Sequence, residues 1–107
     1  SRTNKVKESL SFSDYQKSDR DFAFVVDKHI NAQNLTEVIS DIDNSLIKDV
    51  KIFDVYEGEN IPSGKKSIAL KVTIQSDHKT LNENDLTDIS NKIVNSVEEK
   101  IGAKLRS

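Results

Sequence analysis

The sequence predicts an α+β fold in which two helices cover one face of an antiparallel sheet. Three observations carry this. Apolar residues recur at strand spacing within 20–27, 48–57 and 67–75. They recur at helical spacing within 31–44 and 81–100. Each stretch has a single apolar stripe or face, and two layers meeting at one core bury all of them.

The 107 residues fit one domain, and at 35% hydrophobic and 32% charged they build a modest core under a wet surface. The absence of cysteine excludes disulfides, thiol catalysis and zinc–thiolate sites. His29 and His78 are far apart and belong to no spaced ligand set. No apolar run approaches the roughly 18 residues that cross a bilayer, and the first dozen residues lack the apolar segment of a signal peptide. The expectation is a soluble cytoplasmic domain without a membrane partner. A formal net charge of -2 argues against bulk nucleic-acid binding. Any RNA contact is then a local, shape-reading patch, or one shared with other parts of a larger protein.

Residues 1–14 read as a linker or truncated end, with Leu10 and Phe12 as anchors able to dock on a domain spanning 15–107. In Arg20–Asp27, Phe22, Phe24 and Val26 alternate with Asp21, Ala23 and Val25, which predicts a strand whose bulky set faces the core and whose Ala23 lies on the other side. Leu35, Val38, Ile39, Ile42 and Leu46 form the stripe of a helix over 31–44, capped by Asn31, or by Asn34 with Glu37 completing a capping box. Residues 48–57 read as a second strand, with Phe53 and Val55 on one face and Ile52, Asp54 and Tyr56 on the other. Gly58–Gly64 is a loop. In the next strand Ile68, Leu70, Val72 and Ile74 form a covered face, and Ser67, Ala69, Lys71, Thr73 and Gln75 an open one. Leu86, Ile89, Ile93, Val97 and Ile101 stripe a second helix, capped by Thr80 or Asn82 and ended by Gly102. Ala103–Arg106 is a short last strand. The order β-α-β-β-α-β is the split βαβ, ferredoxin-like two-layer sandwich, with both helices on one face and the other sheet face open.

The motifs of catalysis are missing. Asp19, Asp21 and Asp27 read as solvated strand ends, the loop Gly58–Gly64 lacks the strand-to-helix context of a phosphate loop, and Ser67 has no sequence-evident base. Both histidines read as exposed loop residues. The open face is more informative. Asp54 and Tyr56 share it with Ser67 and, from the first strand, Ala23. A tyrosine on an open sheet is a stacking platform for an unpaired base. A carboxylate only accepts hydrogen bonds and so suits the adjacent N–H donors of a guanine edge. Lys65, Lys66, Lys71, Lys104 and Arg106 are the candidates for phosphate. On these residues alone, a solvated sheet face with a tyrosine lid is the favoured account.

RDFAFVVD from Arg20, KIFDVYEG from Lys51, IPSGKKSIALKVTIQ from Ile61, KTLNENDL from Lys79 and IGAKLR from Ile101 change that preference. In this order they resemble the ferredoxin-fold anticodon-binding domain at the C-terminus of the bacterial phenylalanyl-tRNA synthetase β subunit, from about Tyr15 to Arg106. Single-chain organellar synthetases carry a related domain whose first strand contains tryptophan, and this chain has none. The resemblance implies a parent enzyme that attaches phenylalanine to its tRNA with ATP and magnesium as an (αβ)2 assembly. Catalysis then belongs to the α subunit, and this domain holds neither catalytic site nor cofactor. It implies a partner, the tRNA-Phe anticodon loop, whose first base is guanine, and contacts from Ala23, Asp54, Tyr56, Ser67 and Arg106. The fragment itself is expected to be monomeric. The alternative is a ferredoxin-like protein-interaction or small-ligand regulatory module that does not bind RNA.

Overall fold

Aromatic and β-branched alternation makes Ser18–Asp27 a strand, β1, and its buried set is the expected one: Phe22, Phe24 and Val26. The computed structural model describes residues 15–106, so the expected linker 1–14 and any docking of Leu10 and Phe12 lie outside the described residues. After β1 come α1 (Ala32–Ser40), β2 (Ile47–Tyr56), β3 (Lys65–Ile74), α2 (Glu83–Ile101) and β4 (Lys104–Leu105). The strands form one antiparallel sheet in the order β2-β3-β1-β4. The element order and layering are those of the ferredoxin-like α+β fold.

The core lies between the sheet and the two helices. Ile68, Leu70, Val72 and Ile74 of β3 are completely buried, as are Leu35 and Ile39 of α1 and Ile93 and Val97 of α2. Burying such a side chain contributes about 1.5–3 kcal/mol, so the uninterrupted alternation of β3 fixes which face the helices take.

α1 is shorter than its stripe. Asn31 caps it by accepting from the Gln33 backbone N–H, and Asn34 lies inside the helix, so the box with Glu37 does not form. The helix stops at Ser40 because Asp43 offers the backbone another arrangement. Its carboxylate accepts from the Ser45 backbone N–H and hydroxyl and from the Leu46 N–H. Ile42 and Leu46 still pack against the core, from a turn.

α2 is closed at both ends. Asn82 and Asp85 form a capping box, each side chain accepting from the other's backbone N–H. At the far end Gly102 takes the left-handed conformation, φ 78°, that a side chain would disfavour. Asn82→Ala should therefore lower unfolding free energy by about 0.5–2 kcal/mol, read as a lower urea midpoint with an unchanged slope.

Three carboxylates are held below their ordinary pKa of 3.8: Asp27 by the hydrogen bond and charge of Lys65, Asp43 by the Ser45 hydroxyl, and Asp85 by the Asn82 backbone N–H. In each case the unfolded chain binds the proton more tightly than the folded one, so stability rises with pH. The contribution is fully present at neutral pH and is lost as pH falls below 3.8 through the lowered folded-state values. Urea midpoints should stay level from neutral pH to mildly acid conditions and fall only below about pH 4.

Candidate nucleic-acid interface

The face of the sheet away from the helices is organised in rows that follow from strand register. Residues directly opposite one another share a face and approach closely. Tyr56, Ser67 and Val25 form one row, and Asp54, Ala69 and Ala23 the next. Lys51, Lys71 and Asp21 follow, and then Asp49, Thr73 and Asp19. The alanines of the second row leave a shallow floor beside the exposed Asp54 carboxylate.

β2 departs from the strict alternation expected of it. Its register slips between Ile52 and Asp54, so Phe53 is an extra residue in the ladder. The bulge resets the faces. Ile52 stays with Leu70 against the core, Val55 lines up with Ile68, and Asp54 and Tyr56 turn to the open face. Phe53, expected with Val55 on the face opposite Asp54 and Tyr56, is 57% exposed and lines a cavity of about 220 Å³ with Asp21, Lys51 and Lys71. The pairing of Ile52 with Asp54 and Tyr56 is corrected for the same reason.

Tyr56 is held by the loop that follows it. Its hydroxyl donates to the Glu59 carbonyl at 3.3 Å, and its ring lies against Gly58. A Cβ on Gly58 would come within 2.9 Å of the phenolic oxygen, and the glycine's φ of 141° is one that side chains rarely adopt. Gly58→Ala should therefore displace the Tyr56 ring and destabilise the domain by more than about 1 kcal/mol. The chain has two tyrosines and no tryptophan, so in a Tyr15→Phe background tyrosine fluorescence reports the Tyr56 ring alone.

Arg106 joins the rows. It follows β4, and its backbone N–H donates to the Ala23 carbonyl at 2.7 Å. Its guanidinium carbon lies 6.0 Å from the Tyr56 ring centroid, the outer reach of a cation–π contact. Its Nη1 donates to the Ser67 hydroxyl at 3.5 Å. Ala23, Asp54, Tyr56, Ser67 and Arg106 thus converge on one patch. Ser67 differs from expectation in being only 3% exposed, its hydroxyl engaged by Arg106.

The lysines divide. Lys71 and Lys104 lie in open-face rows, Lys104 opposite Val25. Lys65 is paired with Asp27 at 2.6 Å. Lys66, opposite the buried Val26, falls on the helix side and drops out of the site. Lys51 and Phe53 are the open-face residues that sequence reasoning missed. The signal for Phe53 was two adjacent apolar residues, Ile52 and Phe53, where alternation calls for one. His29 and His78 are exposed, as expected. Among the described residues no group of three or more histidines or carboxylates could hold a metal ion, and no helix is long and apolar enough to cross a membrane.

The family model of the ferredoxin-fold anticodon binding domain matches residues 13–106. The phenylalanine–tRNA ligase β subunit of Bradyrhizobium diazoefficiens is 41% identical over 106 residues, which is 99% of this chain and 13% of that protein. The β subunit of Rickettsia prowazekii is 38% identical over 100 residues, 94% of this chain and 12% of its own length. That of Brucella abortus (strain 2308) is 40% identical over 105 residues, 98% and 13%. The chain therefore spans only 12–13% of the length of these curated relatives.

Proposed function

Because the chain belongs to the ferredoxin-fold anticodon binding domain family, we propose that it is the anticodon-binding domain of a phenylalanine–tRNA ligase β subunit and holds the anticodon loop of tRNA-Phe on its open sheet face. The observation that carries the proposal is the convergence of Ala23, Tyr56 and Ser67 on Arg106, with Asp54 in the adjoining row.

Each residue has a role that its geometry allows. Tyr56, 38% exposed and braced by the Glu59 carbonyl, stacks on the first anticodon base. Asp54 accepts the N1–H and N2–H donors of that guanine. Ala23 and Ala69 leave room for the base to lie flat. Arg106 moves from the Ser67 hydroxyl to phosphate or base, which exposes the hydroxyl to a neighbouring nucleotide. A guanidinium suits this exchange because its planar fork serves a hydroxyl, an aromatic face or a phosphate in turn.

The parent enzyme, in this reading, is a cytoplasmic (αβ)2 synthetase that uses ATP and magnesium and carries out catalysis on its α subunit. The domain positions the tRNA and performs no bond-making step. Its net charge of -2 limits the phosphate contribution to affinity, so the body of the synthetase supplies most of the grip.

Tyr56→Ala tests the stacking role. It should weaken binding of an anticodon stem–loop by about 1–3 kcal/mol, by a similar amount whatever base occupies the first anticodon position. Unchanged affinity in a fluorescence-anisotropy titration would remove Tyr56 from the interface.

A further inference from the structure

Phe53 is the largest exposed apolar side chain near the patch, and none of the roles above uses it. It sits on the open face because of a bulge, and a bulge at such a place re-aims a side chain at the cost of ladder regularity. Beside it lie Lys51 and Lys71, directly opposite one another across β2 and β3. Like charges in directly opposed positions destabilise a sheet. Asp21, on the far side of Lys71, offsets one of the two charges. The five ion pairs among the described residues involve Arg20 and other lysines. An exposed aromatic ring flanked by two cations matches one unpaired nucleotide, with its base on the ring and its phosphate between the ammonium groups.

We propose that Phe53, Lys51 and Lys71 form a second nucleotide site, which takes a nucleotide neighbouring the guanine held by Tyr56 and Asp54. The proposal rests on the RNA reading above. The path between the sites suits a splayed strand. Phe53 and Tyr56 are three residues apart, roughly 10 Å along a strand, whereas stacked bases advance only about 3.4 Å. Two bases on these rings are therefore unstacked from each other, the state in which single-stranded RNA is read. Asp54, between the rings, faces the edge of the first base, and the lysines receive the phosphate of the second. The patch also fits an apolar side chain of a protein partner, but that occupant leaves the paired lysines unanswered.

The test uses the full chain and anticodon stem–loops carrying 2-aminopurine at either neighbour of the guanine. One of the two probes should change fluorescence on binding, and Phe53→Ala should abolish that change and weaken binding roughly tenfold. Phe53→Leu, which keeps an apolar side chain but no ring, should behave likewise. Lys51→Gln with Lys71→Gln should flatten the dependence of log affinity on log salt by roughly 0.7, the value for one phosphate on a single strand. Guanine-dependent binding that persists with both 2-aminopurine signals and affinity unchanged in the Phe53 variants would overturn the second site alone. A wild-type chain that gives no response to either stem–loop even at the highest soluble RNA concentration and low salt, where weak binding is still read, would overturn both readings. Phe53 variants that bind RNA normally but melt at lower temperature would assign the ring a purely structural role and reject the second site.

Discussion

Asp54→Asn should lower the preference for guanine over adenine at the first anticodon position by about 1–3 kcal/mol, roughly 5–150-fold. The reason lies in donor and acceptor counting. A carboxylate presents acceptors to both guanine donors, N1–H and N2–H. Asparagine keeps one acceptor and replaces the other with an NH2 group, which meets a guanine donor head-on and leaves both unpaired. The adenine edge, with one acceptor and one donor, matches asparagine instead. The substitution also removes a negative charge from an acidic domain, which raises non-specific affinity for any RNA. The informative quantity is therefore the ratio of guanine to adenine affinity, measured on paired stem–loops at fixed salt. In the complete synthetase the same ratio is read from aminoacylation of wild-type and guanine-substituted tRNA. A normal ratio for Asp54→Asn would withdraw the carboxylate from base recognition.

Phe24→Ala should have the largest effect on stability, about 3–5 kcal/mol. Phe24 is fully buried, and its ring stacks with Phe22 at a centroid distance of 6.0 Å. It lies opposite Ile68 on β3 and Leu105 on β4. Truncation removes both the transfer free energy of the ring and its packing partners, because a close-packed interior relaxes only partly around a void. Small domains have about 5–15 kcal/mol in total, so the variant retains little reserve. The functional consequence follows from register. Phe24 is the neighbour of Ala23, whose carbonyl anchors Arg106, so loosening β1 against β4 releases the clamp. Urea unfolding should show the full loss. A change under about 1 kcal/mol would mean that the site can collapse around the missing ring.

β1 and β3 were legible because their alternation runs without interruption, and in both the buried face is the expected one. β2 was not, because reading faces from period-2 spacing assumes a regular ladder, and its slip after Ile52 reverses every assignment that spans it. Asp54 and Tyr56 were nevertheless placed on the open face, since they lie on the same side of the slip as each other. The stripe of α1 ran on to Leu46 although the helix did not, because a turn around Asp43 presents Ile42 and Leu46 to the core equally well. The residues alone offered Arg106 only a phosphate role, and its place beside Ala23, Asp54, Tyr56 and Ser67 came through family resemblance, as a strand of two residues carries no periodicity to read. The burial of Ser67 had no local signal either. Its cover arrives from 39 residues further along the chain.

The central claim is that RNA lies on the open face of the sheet. Amide chemical-shift mapping of the labelled chain against a guanine-containing anticodon stem–loop tests it directly, and remains informative at weak affinity. The predicted result is a set of shifts centred on Ala23, Asp54, Tyr56 and Ser67, with the exposed side of α1 and α2 unchanged. Shifts confined to the helical layer would contradict the account and favour a ferredoxin-like interaction module.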